Sequence, residues 1–294
     1  MTYEVAYRVF HMPGYPGLAY TIVAAYVNLL SLWSIGKVAG EVNAIQPVIA
    51  RLLGGDGHDR EPPPFQLMGS VAGPLLLTLG GTLAFQITDY YRYPGAAPIV
   101  LAPFLYVGFL PANAGVWNAA ALFAGLDRLG RRHLRLAPFQ EDKSLGLRPL
   151  GQVAFFTFLL FVAGFLPLMV VAAKDVRSTI TVLVEFSIGV TLFFLSMYRL
   201  HRQLVTAKAG HLARARALYC EAFQPLETRW SLEMLTAQAA QLSAAEAMER
   251  RAAAIQEWPF DEGVLARVAA VVTSAVAITL ARLALSWFGL KGGE

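Results

Sequence analysis

Residues 179–200 read TITVLVEFSIGVTLFFLSMYRL, and the fold turns on this stretch. Ile180 to Leu195 is almost wholly apolar, and about 20 such residues cross a ~30 Å hydrocarbon core. No Pro or paired Gly stops the helix at Tyr198, so it is expected to run on into the cytoplasm. There Leu200, Leu204, Ala207, His211, Ala215, Leu218 and Ala222 recur at spacings of three and four, one apolar stripe on a helix. Gln224-Pro225 is expected to break it, because Pro lacks an N–H and disfavours helix before it. A second limb follows, with Leu232, Leu235, Ala239, Leu242, Ala245, Met248, Ala252 and Ile255 on one side.

Two amphipathic limbs joined at a Pro read as an antiparallel helical hairpin over residues 199–260. The first limb carries Arg199, Arg202, Lys208, Arg214 and Arg216; the second carries Glu227, Glu233, Glu246, Glu249 and Glu257. Folding about Pro225 sets Arg202 opposite Glu246–Glu249. Exposed pairs of this kind are worth at most ~1 kcal/mol each, so they speak for register and not for stability. Trp258-Pro259-Phe260 ends the second limb with aromatics suited to the headgroup layer. Asp261 is a suitable N-cap for the last span, Val264 to Phe288.

Two ionisable residues lie within this pair of spans. Glu185 is roughly 12 Å and Arg282 roughly 10 Å from the outer end of its helix. A charge at such depth costs on the order of 2–3 kcal/mol. Equal depth and opposite sign lead to an expected Glu185–Arg282 ion pair, within one protomer or between subunits. Separate snorkelling of the two is the competing arrangement.

Composition agrees. The chain has 294 residues, 56% hydrophobic and 15% charged, against about 25% charged in soluble domains. Its net charge of +4 is accounted for by basic cytoplasmic loops, so no nucleic-acid partner is expected. The single Cys220 excludes an intrachain disulfide. Residues 1–16, with Tyr3, Tyr7, Phe10 and Tyr15, read as an interfacial segment and not as a secretory signal.

The expected class is therefore all-α: about six transmembrane helices plus the hairpin. Spans are read at Gly17–Ile35, Gln66–Thr88, Ala97–Gly125, Leu150–Ala173 and within 179–198, with a last helix in 261–294. Residues 37–65 and 126–149 are read as cytoplasmic loops within the 17–198 membrane region. The span at 97–125 contains Pro98, Pro103 and Pro111, so a re-entrant segment is its alternative. With the N-terminus outside, inner segments hold 17 Lys and Arg and outer segments 5. That bias places the hairpin in the cytoplasm and both termini outside a cell membrane.

Chemistry is sparse. Asn28, Thr78 and Asn113 fall at similar depth, and Asn118 follows on the Pro- and Gly-broken third span. With Glu185 they are the candidates for a transport path. Hydrogen bonding between helices, ~0.6 kcal/mol each, is the simpler use of the amides and Thr78. Phe158, Phe161 and Phe193, in a Phe-rich pair of spans, are candidates for a hydrophobic gate, or for lipid contact and packing. Leu232, Leu235 and Leu242 are candidates for docking a cytoplasmic partner. Arg128, Arg131, Arg132 and Arg135, directly after a span, suit anionic lipid at about 1 kcal/mol per charge. His58, Asp59 and Glu61 match no zinc spacing, and no His lies within a span, so neither metal nor haem is expected. Without GxSxG, HExxH, a P-loop or GxGxxG, an enzyme is not expected. The expectation is an oligomeric ion channel or small-ion transporter whose hairpin couples to gating. Its rival is a non-transporting scaffold, sensor or accessory subunit.

Overall fold

A computed structural model describes residues 18–54, 63–90, 97–137, 142–172, 176–228, 232–260 and 262–287. Nearly all of these are helical, and no strand occurs among them. The helices are α1 (Leu18–Leu52), α2 (Ala72–Tyr90), α3 (Ala97–Arg131), α4 (Arg148–Ala172), α5 (Val176–Thr228), α6 (Leu232–Ala253) and α7 (Glu262–Trp287). A 3-10 turn, Gln66–Gly69, precedes α2. Five helices, α1, α3, α4, α5 and α7, are long and apolar enough to cross a membrane. In α2 the apolar stretch described is shorter, Ala72–Leu83. The outward faces expose Leu29, Leu32, Leu76, Ile188, Leu195 and Leu280. Such surfaces suit an integral membrane protein, where helices satisfy their own backbone groups and apolar side chains meet lipid.

Contacts give each helix its direction. Phe158 meets Phe193 and Phe165 meets Phe186, so α4 and α5 are antiparallel. Phe123 meets Phe193 and Asp127 meets Arg199, so α3 runs parallel to α5. Ser31 lies against Gly115 and the Arg135 amide donates to the Leu52 carbonyl, so α1 runs parallel to α3. Antiparallel to α3, α2 places Gly73 under the Trp117 ring and its Leu75 carbonyl accepts from the Tyr106 hydroxyl. The shared core joins Leu122, Leu126 and Leu129 of α3, Phe158 of α4, and Phe193, Met197 and Leu200 of α5.

Three expectations change. Residues 37–65 are not one loop, because α1 continues to Leu52. Val38, Val42, Ile45, Ile49 and Leu52 recur at helical spacing and are all buried. The polar residues between them mask an amphipathic helix. The chain turns only at Gly54, whose φ of 89° requires glycine's freedom. Residues 126–149 likewise begin as helix, with Leu126 and Leu129 in the core and α3 ending at Arg131. The same helix is continuous through Pro103 and Pro111, as the single span expected at 97–125 requires.

The third change concerns register. Pro225 does not end the first limb, since α5 is one 53-residue helix through Thr228. At 1.5 Å per residue it is about 80 Å long, so roughly 50 Å lies beyond a ~30 Å hydrocarbon layer. Carrying the helix past Pro225 shifts its partner. Arg216 meets Glu249 at 3.2 Å and Lys208 meets Glu257 at 3.0 Å. Arg202 is therefore not opposite Glu246–Glu249. Ala215 and Ala222 are buried on α5, and Ala245 and Ala252 on α6. Alanines seven apart on both limbs let the two backbones come close. His211 and Leu218, expected on the stripe, are exposed.

Replacing Ala245 by Leu overfills this seam and is expected to cost ~1–3 kcal/mol. Ala213→Leu, at an exposed position of α5, is expected to cost less than ~0.5 kcal/mol. Thermal unfolding of both variants in the same detergent checks the contrast.

Candidate functional site

The site begins in the phenyl core between α4 and α5. Phe158 and Phe193 are wholly buried and stack at 4.6 Å between ring centroids. Phe161 meets Phe158 at 6.5 Å, Phe165 at 4.6 Å and Phe186 at 6.1 Å. Gly189 makes this possible, because a Cβ there would overlap the Phe161 ring. The three rings expected as a gate are thus neighbours in one closed stack. Aromatic pairs of this geometry add about 0.5–1.5 kcal/mol each beyond their burial.

The stack continues out of the core. Phe193 meets Phe260 at 6.1 Å, Phe260 meets Trp258 at 5.6 Å, and Trp258 stacks on His201 at 4.4 Å. These residues join α5 to the elbow 254–260, where α6 hands over to α7. The elbow is held from three sides. On α5, the His201 ring nitrogen Nδ1 is 2.8 Å from the Glu257 carbonyl oxygen, so it carries the proton and donates. Lys208 pairs with the Glu257 carboxylate on the same side. From the turn before α4, the Lys143 carbonyl accepts from the Gln256 amide at 3.1 Å, and the buried Ser144 hydroxyl meets Gln256 Oε1 at 2.7 Å. Beneath it on α4, Gly151 leaves room for the Pro259 carbonyl, which a Cβ would overlap.

That turn is itself shaped by one side chain. Asp142 accepts from the amides of Ser144 and Gly146 at 3.0 and 3.1 Å. Leu145 and Gly146 then take φ values of 52° and 88°.

A latch joins α3 to α5 at the same level. Asp127 accepts from Arg199 at 2.6 Å and pairs with Arg131 at 2.8 Å. The Gln203 amide donates to the carbonyls of Gly130 and Arg132 at 2.8 and 2.7 Å. These are end carbonyls that helix α3 leaves without an intrahelical partner.

The polar path candidates do not form one cluster of hydrogen bonds. Thr78 is fully buried and its hydroxyl donates to the Pro74 carbonyl of its own helix at 2.7 Å. Among the described residues Asn28 buries a side-chain oxygen that has no partner, as does Thr82. Asn113 and Asn118 are half-buried on α3, and among the described residues no hydrogen bond joins them to Asn28 or Thr78. Glu185 lies on the exposed side of α5. The Arg282 side chain lies outside the described residues, and so does the expected ion pair.

Of the docking candidates, Leu242 is half-buried, while the side chains of Leu232 and Leu235 lie outside the described residues. On the part of α5 that packs against α6, Leu218, Tyr219 and Phe223 are exposed, with the last two rings stacked at 5.8 Å. Cys220, His133 and His211 are exposed. His58, Asp59, Glu61 and residues 1–16 lie outside the described residues. Among those described, no group of three His, Cys, Asp or Glu could hold a metal.

Sequence reading missed Asp127, Ser144, Gly151, Gly189, Gln203 and Gln256. Only Asp127 carried a local signal, an acid four residues before Arg131. Gly151→Ala is expected to destabilise the protein by ~1–3 kcal/mol, because the carbonyl above it cannot rotate away. Gly210→Ala, with open space at its Cβ, is expected to stabilise the helix by ~0.5–1 kcal/mol. Unfolding midpoints of the two variants test that opposition of sign.

Comparison of the chain with family models, with curated proteins and with solved structures returns no match.

Proposed function

We propose that the protein is an oligomeric ion channel or small-ion transporter of the cell membrane, and not an enzyme. In this reading six helices cross the bilayer, both termini lie outside, and α5 with α6 forms a cytoplasmic hairpin that couples to gating. The observation that supports it most is the unbroken aromatic contact from His201 through Trp258, Phe260 and Phe193 to Phe158. A displacement of the limb at Lys208–Glu257 would be carried along rigid α5 into a closed ring stack. Phe158, Phe161 and Phe193 are then the gate, and Asn28, Thr78, Asn113, Asn118 and Glu185 the polar groups of the path. Packed side chains with two discrete arrangements are the physical means by which such coupling travels.

A second reading has its own observation. Leu218, Tyr219 and Phe223 form an exposed apolar patch on the part of α5 expected to lie outside lipid. Patches of this kind mark sites of protein interaction. A scaffold, sensor or accessory subunit would use it to hold a partner.

Ion-loaded liposomes separate the two. A channel or transporter is expected to pass at least one small cation or anion. Phe193→Ala would open the stack and raise leak several-fold, and Asn113→Leu would lower flux. Folded protein that passes none of the ions, with both variants equally silent, would leave the scaffold reading standing.

A further inference from the structure

The Asp127 latch has a side that the helix contact does not use. Asp127 receives Arg199 through Nε on one oxygen and Arg131 through Nε and a terminal nitrogen on the other. Each guanidinium has five N–H donors, so Arg199 keeps both terminal nitrogens and Arg131 keeps one. The side chain of Arg131 is 60% exposed and that of Arg199 44%. Arg128 follows Asp127 and is exposed; Arg202 lies one turn beyond Arg199 and is exposed. By their positions along the two helices, four cations and one carboxylate give a net charge of +3 to a patch at the end of α3 and the adjoining turn of α5. Tyr198, half-exposed beside Arg199, suits the headgroup depth.

Arg132 and Arg135 are not part of this patch. The Arg132 carbonyl is held by Gln203, and its side chain is half-buried. Arg135 turns to the end of α1, where its amide donates to the Leu52 carbonyl and its side chain reaches the Gly54 carbonyl.

We propose that Arg128, Arg131, Arg199 and Arg202 bind the phosphate of an anionic phospholipid headgroup, with Asp127 as the positioning residue that holds two of the guanidiniums. Orienting a membrane protein needs only a number of positive charges. It does not need a carboxylate that removes one charge and fixes two others in place. A fixed pair of guanidiniums is what bidentate recognition of a phosphate needs. The lipid would bridge α3 and α5 at the latch. This inference does not depend on whether the protein transports ions.

The test is lipid binding to the full chain in neutral detergent, followed by native mass spectrometry and thermal shift. The probes are phosphatidylglycerol, phosphatidylcholine and inorganic phosphate. Phosphatidylglycerol is expected to bind at least about ten-fold tighter than phosphatidylcholine. Each guanidinium lost is expected to weaken it about five-fold. The peripheral double variant R128Q/R202Q leaves the ion pairs of Asp127 untouched and should lose roughly 25-fold by that rule. The double variant R250Q/R251Q removes two exposed charges from α6 and should leave affinity unchanged. Asp127→Asn raises the net charge but frees the guanidiniums, and is expected to weaken binding. Equal binding of the two lipids would overturn the proposal, as would equal loss in both double variants or tighter binding by Asp127→Asn. Displacement of the lipid by millimolar inorganic phosphate would identify a soluble phosphate site and overturn the lipid assignment.

Discussion

The stacking of Phe193 on Phe158 is the contact on which the rest of the molecule depends. It lies where α3, α4 and α5 meet, and both rings are wholly buried. Around it the helices take their directions: α4 antiparallel to α5, and α3 parallel to it. Gly189 permits the neighbouring ring, Phe161, to lie on the α5 backbone. In lipid there is little hydrophobic drive between helices, so close packing of this kind and hydrogen bonding must supply the association. A protein with five or more apolar helices is held by a few such contacts, and losing one loosens several helix pairs together.

From this stack two connections lead outward, and they differ in kind. The aromatic run to Trp258 and His201 is continuous packing, insensitive to salt. The Asp127 latch is electrostatic and exposed, so its own contribution is small. A bound phosphate would add charge-assisted hydrogen bonds to the second connection but none to the first. In the proposed reading the elbow 254–260 would serve as a mechanical joint, and the latch would be the place where the composition of the bilayer acts. Both act on α5, the longest of the described helices.

Much of the architecture was legible locally. The apolar run at Ile180–Leu195 and the charged, alanine-rich limb after it read as one helix, and α5 is one helix. In the Lys37–Leu52 segment five polar residues are interleaved with a buried stripe of five, which becomes visible only when residues three and four apart are compared. Pro225 does not end the helix. Pro225 removes only its own N–H donor, one turn from the helix end, too little to stop the helix, which runs three residues further to Thr228, and the whole register of α6 moves with it. The site was less legible than the fold. Phe158, Phe161 and Phe193 could be named from composition, but nothing near Gly151 or Gln203 in the chain announces a carbonyl arriving from another segment.

What the sequence determined by itself is helix, an apolar character suited to membrane, and the continuity of α5 from its apolar run into the charged limb. Hydropathy, periodicity and the absence of breakers are properties of neighbouring residues and need no partner. What only the tertiary structure decided is which residues meet. Asp127 faces Arg199 across 72 positions, and Ser144 meets Gln256 across 112. Contacts at that separation depend on helix direction, crossing and the sub-ångström room left by glycine, and none of these is encoded in any one stretch of chain.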